Sequence, residues 1–227
     1  MNLVFRHICF LVRFTVIFLV VSFPVNVAYS QGVELTDQER QWIVDHPVIR
    51  AAGGSGSPPL QFNREGVADG FSTDYMKLVA KKAGLTLSII NENAWSDSNN
   101  KIKAGTIDLI HSISKTPERD TYLNFTESYL ELPFVYFGRK GTSIIDSVDD
   151  LTGQRIGVIK GWATTQIYEQ DYPQFNLFYQ SNLLEGLRAV ENGLIDVFIL
   201  QEPIGNYIIE QNFISGVEVV GKHFFPA

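Results

Sequence analysis

The 227-residue chain holds one cysteine, Cys9, so neither a disulfide framework nor a cysteine-based zinc site can organise it. Positive charge is also scarce. Eighteen Lys and Arg stand against 25 Asp and Glu, a formal net charge of −7, and the basic residues form no cluster. Phosphate backbones demand grouped cations, so nucleic acid is excluded as a partner. After residue 30, the histidines His46, His111 and His223 lie far apart and none belongs to a His-x-x-x-His pair, which removes the helical zinc motif. No Gly-x-Ser-x-Gly elbow offers an anchor for Ser-His-Asp hydrolysis. Gly53-Gly-Ser-Gly-Ser57 runs into Pro58-Pro59 rather than into Lys and a helix, so it reads as a flexible cleft-rim loop and not a phosphate loop. No catalytic residue, metal site or cofactor is expected. What remains is 45% hydrophobic and 19% charged, enough apolar mass for one or two globular domains and not the composition of a disordered tail, a collagen repeat or a coiled coil.

Residues 1–30 form a separate object. They contain no acid and two arginines, Arg6 and Arg13, followed by an apolar run and then Ala28-Tyr29-Ser30, with small residues at −3 and −1 of a cleavage site. Basic start, apolar middle and small-residue exit read as a secretory signal peptide. The alternative is an uncut membrane anchor, but Pro24 and Asn26 interrupt a run already short of the roughly 20 residues a span needs. Cleavage removes Cys9 and leaves 16 bases against 25 acids, a mature net charge of −9. A soluble protein outside the cytoplasm, in the periplasm, is expected.

The rest reads as alternating α/β grammar. Thr36-Asp-Gln-Glu39 is a capping box opening a helix over 37–45, ended by His46-Pro47. A strand over 48–52 precedes the Gly/Ser/Pro loop. A helix over 71–82 follows, with Tyr75, Leu78, Val79 and Lys82 as its expected core-facing side and Gly84 as its stop. Strands are expected over 85–90 and 107–110, with a helix after Trp95. The second half repeats the pattern: strands over 155–159, 175–179 and 195–200, and helices over 163–169 and 182–191, the latter with Leu183, Leu187 and Val190 on one face. Lys103-Ala-Gly105-Thr-Ile-Asp108 is echoed by Glu191-Asn-Gly193-Leu-Ile-Asp196, glycine and aspartate both 88 residues on. Alternation implies parallel sheets, and the echo implies two lobes of similar plan; chance similarity of two αβ turns is the competing explanation. Asp108 and Asp196 are expected to hydrogen-bond at turns rather than act as acids. Phe134-Val-Tyr-Phe137, running into a Gly-flanked polar segment, is expected to cross between lobes and leave a ligand cleft.

Motifs in order carry a family resemblance: Leu35-Thr-x-x-Glu39-Arg-x-Trp42, His46-Pro-Val-Ile-Arg50, Pro58-Pro59, Gly70-Phe-x-x-Asp74-Tyr, Trp95, Lys103-Ala-Gly-x-Ile-Asp108, Ser112-x-Ser114-x-Thr116-Pro-Glu-Arg119, Phe125-Thr-Glu-x-Tyr129 and Gly157-Val-Ile-Lys-Gly161-Trp-Ala-Thr164. The chain resembles bacterial extracellular solute-binding proteins of family 3, in the Venus-flytrap version found as the periplasmic sensory part of membrane histidine kinases. The resemblance implies an α/β, two-lobe periplasmic-binding-protein-like (type II) fold with hinge strands, closing on a small polar solute. Its partners would be that solute and either an inner-membrane sensor or an ABC permease. Expected boundaries are 31–47 for the N-terminal helix and linker, 48–138 for the first lobe, 139–219 for the second and 220–227 for the start of a return to the first. The elements that complete the first lobe in the family would lie beyond Ala227, an apparent truncation.

The chemistry of the residues agrees. Arg119 follows Ser112, Ser114 and Thr116, and a guanidinium fork beside hydroxyls and strand-end amides suits a planar carboxylate. An exposed arginine paired with Glu118 or Asp120 is the alternative. The resemblance puts Arg119 on the ligand-carboxylate arginine and Ser114 on a donor position. Trp162 precedes a helix start whose free N–H groups favour an anion, with Thr164 as a donor. Trp95 falls near an aromatic position lining the cleft. Core packing is the alternative for both tryptophans. Gln201 stands where amino-acid binders of the family place an acid, which disfavours an α-amino acid and leaves a carboxylate or polar neutral solute. The expected ligand contacts are therefore Trp95, Ser112, Ser114, Arg119, Trp162, Thr164 and Gln201. The rival class is an enzyme on the same fold, either a cyclohexadienyl dehydratase or the binding part of a peptidoglycan lyase, with Glu202 as the acid to suspect.

Overall fold

A computed structural model describes residues 33–54, 56–91 and 95–222. The signal-peptide segment and His223 lie outside the described residues. In chain order the elements are α1 (Asp37–Asp45), β1 (Ile49–Ala52), β2 (Phe62–Arg64), β3 (Val67–Asp69), α2 (Phe71–Ala83), β4 (Leu87–Ile90) and α3 (Trp95–Lys103). Then follow β5 (Phe134–Arg139), β6 (Arg155–Ile159), α4 (Ala163–Asp171), β7 (Asn176–Gln180), α5 (Leu183–Glu191), β8 (Val197–Gln201), α6 (Glu202–Gln211) and β9 (Val217–Lys222). The capping box forms as expected: Thr36 N–H donates to Glu39 at 2.8 Å and Glu39 N–H to Thr36 Oγ1 at 3.3 Å. Gly84 takes φ 74° and closes α2 through its N–H to Ala80 and Lys81, a left-handed cap that glycine adopts without a Cβ clash.

The first lobe is built on β1 and β4, paired in parallel. The strand expected over 107–110 is reduced to one bridge, Leu109 to Ala51, supported by Asp108 N–H to Arg50 O at 2.8 Å and Ala52 N–H to Leu109 O at 2.9 Å. The helix α2 corrects another expectation. Ser72, Thr73, Met76 and Ala80 are buried, whereas Tyr75 (38%), Leu78 (50%) and Val79 (47%) are exposed. Its small residues face inward, where Thr73 bonds the buried His111 ring at 3.2 Å, and the larger apolar side points outward.

The second lobe carries the core. Its sheet has the order β7-β6-β8-β5-β9. β7, β6 and β8 are parallel as the alternation implies, but β5 runs antiparallel to β8 and β9, so the sheet is mixed. The segment 134–139 is an interior strand of this sheet and 217–222 is its edge strand. An apolar run fits a strand of either direction, which is why the pattern does not reveal this. Successive β5 side chains go to opposite faces: Val135 and Phe137 pack with α5 and α6, while Phe134 and Tyr136 pack with α4, where Tyr136 and Tyr168 share a buried 2.8 Å hydrogen bond.

The 88-residue echo has a structural meaning. Arg50 donates to Asp108 from N (2.8 Å), Nε (2.9 Å) and Nη2 (2.6 Å), and Arg155 repeats this on Asp196 at 2.8, 3.0 and 2.6 Å. Each aspartate thus pins the start of its lobe's strand, and both carboxyls are held below their ordinary range, Asp108 at about 2, chiefly by the arginine hydrogen bonds.

Candidate functional site: a cavity around Arg119

Arg119 opens a short 3₁₀ turn, Arg119–Thr121, whose first N–H reaches back to Thr116 Oγ1 at 3.3 Å. That turn folds the side chain inward, and the residue is only 4% exposed. Nη1 donates to Ser114 O at 2.7 Å, Nη2 donates to Gly161 O at 2.9 Å, and the guanidinium carbon sits 4.7 Å from the centre of the Trp95 ring. Stacking on an aromatic face suits a weakly hydrated, delocalised cation. The carboxylates next to it are engaged elsewhere, Glu118 with Lys103 at 3.0 Å and Asp120 with Lys115 at 3.1 Å. Among the described residues no carboxylate reaches Arg119. Burial pulls its pKa below the ordinary guanidinium value, opposed by Tyr122 and Glu118. Two of its five N–H donors bond carbonyls, and the other three have no acceptor among the described residues.

The surrounding cavity has about 70 Å³ of free space, room for several water-sized groups. Of the expected contacts, Trp95, Ser112, Ser114, Arg119, Trp162 and Gln201 line it together. Ser112 is held at φ 58°, a left-handed geometry uncommon for serine, while its carbonyl receives Gln61 Nε2 at 3.5 Å. Trp162 is the N-cap of α4 without a side-chain cap bond, so the first N–H groups of that helix are left open. Gly161, at φ 78°, brings the backbone against Trp95, where an added Cβ would lie 3.4 Å from the indole nitrogen. Gln201 ends β8, and its Oε1 is buried with no partner among the described residues.

Thr164 departs from expectation: it lines a neighbouring pocket, and Ala163 takes its place on the cavity wall. A one-residue difference along a helix start rotates a side chain by about 100°, which motif spacing does not resolve. Ser57, Leu60 and Gln61 enter from the cleft-rim loop; the rule that ligands gather beyond the carboxyl ends of parallel strands would have found them. Leu60, Ile113, Phe134 and Ile204 line the cavity as apolar residues that a sequence cannot tell from core. Glu202 begins α6 and does not line the cavity. His111 is 6% exposed and its pKa falls to about 4, mainly through burial, the behaviour of a neutral packing residue. Among the described residues no cluster of His, Cys, Asp or Glu suits a metal ion, and no helix is long and apolar enough to cross a membrane.

Elements from both lobes thus meet around a buried guanidinium, the arrangement of a Venus-flytrap solute-binding domain. The chain belongs to the bacterial extracellular solute-binding proteins, family 3, whose sequence model matches residues 49–198. It is 22% identical over 190 residues to the virulence sensor protein BvgS of Bordetella pertussis, covering 83% of this chain and 15% of that one. The chain therefore spans less than a sixth of that relative's length. It is 27% identical over 163 residues to a probable histidine-binding protein of Campylobacter jejuni, covering 68% of this chain and 60% of that one. Among solved structures, the BvgS periplasmic VFT2 domain superposes with a TM-score of 0.75 at 22% identity, over 85% of this chain and 83% of that one. An ancestral arginine-binding protein bound to arginine gives 0.69 at 24% identity, over 80% and 81%. The family is one of binding proteins rather than enzymes.

Proposed function

We propose that this domain senses a small carboxylate solute outside the cytoplasm, on behalf of a membrane signalling protein, and that residues 1–30 direct its export. The observation that carries the reading is Arg119: a buried cation with no carboxylate partner among the described residues and N–H donors to spare. The open N–H groups at the start of α4 support the anion reading. The buried Oε1 of Gln201, without a partner among the described residues, adds a second requirement, a hydrogen-bond donor that need not be charged. The sensor role is supported by similarity to BvgS over more of this chain than to the histidine-binding protein. That second relative favours solute uptake through a permease as the next reading.

Binding acts through closure. The solute contacts both lobes and favours the closed arrangement by those extra contacts alone. The test is calorimetry of the wild type and Arg119→Gln against a panel of small carboxylates. At least one should bind the wild type, and the variant should lose about 100-fold or more, as removal of one partner of a buried charged contact does. Equal affinity in the variant would refute the assignment.

A further inference from the structure

A second pocket abuts the cavity. It holds about 110 Å³ of free space, more than the cavity itself, and shares Ser114, Phe134 and Ala163 with it. Arg119, Trp95 and Gln201 are not part of its wall; one side is the loop of residues 114–118 and the other is α4. The pocket thus also lies between the lobes, which meet there through Gln166 Nε2 to Glu118 at 2.6 Å.

Its chemistry differs from that of the cavity. Thr164 is 5% exposed, and no described residue bonds its hydroxyl. The hydroxyl is not among the fully buried unpartnered atoms, so it keeps a face open to the pocket where a solute can bond it. The charged groups of the wall are already satisfied: Lys115 by Asp120 at 3.1 Å, and Glu118 by Lys103 at 3.0 Å and by Gln166. With those charges paired, the pocket asks for a neutral hydrogen-bonding group and not for a second ion. Pro117, Phe134 and Ile167 supply apolar wall for a short chain, and the exposed Gln170 supplies an amide at the rim.

We propose that the solute is two-ended. Its carboxylate sits with Arg119, and its chain passes Ser114 and Ala163 into the second pocket, where an uncharged amide or hydroxyl bonds Thr164. The inference rests on the carboxylate reading and narrows it to carboxylates that carry an amide or hydroxyl tail.

Calorimetry on the full chain with acetate, lactate, N-acetylglycine and N-acetylglycylglycine tests it. The wild type should bind the longest about tenfold or more tighter than acetate, as one added hydrogen bond and its chain contacts permit. Thr164→Val and, at the exposed rim where folding is not at stake, Gln170→Leu should each cut that ratio about three- to tenfold. A ratio unchanged in both variants overturns the two-ended solute, while loss of every compound in Arg119→Gln would leave the carboxylate reading standing. A wild type without preference for length also overturns it. Failure of all four compounds to bind overturns the underlying reading and this one together.

Discussion

In the first lobe Arg50 grips Asp108, and in the second Arg155 grips Asp196, through the same three bonds at nearly the same lengths. Behind that common clamp the lobes diverge. Both hydrophobic clusters among the described residues are drawn from 134–220, apart from Leu60. β8 presents Phe198, Ile199 and Leu200 at 2% exposure or less, covered by α5 and α6 on one face and α4 on the other. The first lobe buries Ala51, Ala52, Ala68 and Ala80 beside only a few larger side chains, Ile49, Met76 and Ile107, and leaves Phe71, Tyr75, Leu78 and Val79 of α2 substantially exposed. Matching local grammar therefore does not confer matching stability. Burial of large side chains between layers does, and among the described residues the second lobe has most of it.

The largest test of this contrast is truncation of each helix's apolar side. Leu187→Ala, fully buried on α5, should cost about 2–5 kcal/mol in urea unfolding, from lost transfer energy and the cavity left behind. Leu78→Ala, half exposed on α2, should cost about 0.5 kcal/mol or less. Comparable losses would show that the α2 face is covered in the folded protein.

A second test concerns acid. His111 titrates near 4 when folded, chiefly because burial disfavours its charged form, against an ordinary 6.5. The unfolded chain takes up the proton first, so the stability contribution is complete above pH 6.5 and declines as pH falls towards 4, by up to about 3 kcal/mol. The loss belongs to the first lobe. Hydrogen exchange at pH 7 and pH 5 should show α2 and β1 losing protection while β6 and β8 keep theirs; parallel losses in both lobes would break the comparison.

The smallest effect concerns the clamps. Asp108→Asn and Asp196→Asn each remove a charge from an exposed or half-exposed ion pair while sparing the packing behind it. Each should lower the melting temperature by only a few degrees, because such pairs are weak in water. A large drop from Asp108→Asn alone would show that the first lobe depends on its clamp where the second depends on its core.

How much of this was legible in the sequence varies by residue. The echo of Gly105 and Asp108 in Gly193 and Asp196 marked two related lobes, because the turn chemistry is local. The arginines that complete each clamp lie 58 and 41 positions away, and no local pattern names them. Arg119, Trp95, Ser112, Ser114, Trp162 and Gln201 converge on one cavity because their motif order follows the fold. Thr164 missed by a single residue, since a helix start fixes side-chain direction only to within the cap geometry. The side of α2 that faces inward was misread because amphipathicity tells that a helix has two sides, not which one a neighbour covers. The direction of β5 was hidden for the same kind of reason: a run buried on both faces carries no sign of polarity.

The placement of the indoles also makes the protein its own optical gauge. Trp95 carries a cation over its ring and approaches Gly161 across the cleft, Trp162 packs into the second lobe, and Trp42 stands on α1 stacked against His46. Parting of the lobes would alter the surroundings of Trp95 most and those of Trp42 least, so emission from the unlabelled protein can follow opening and closing in real time.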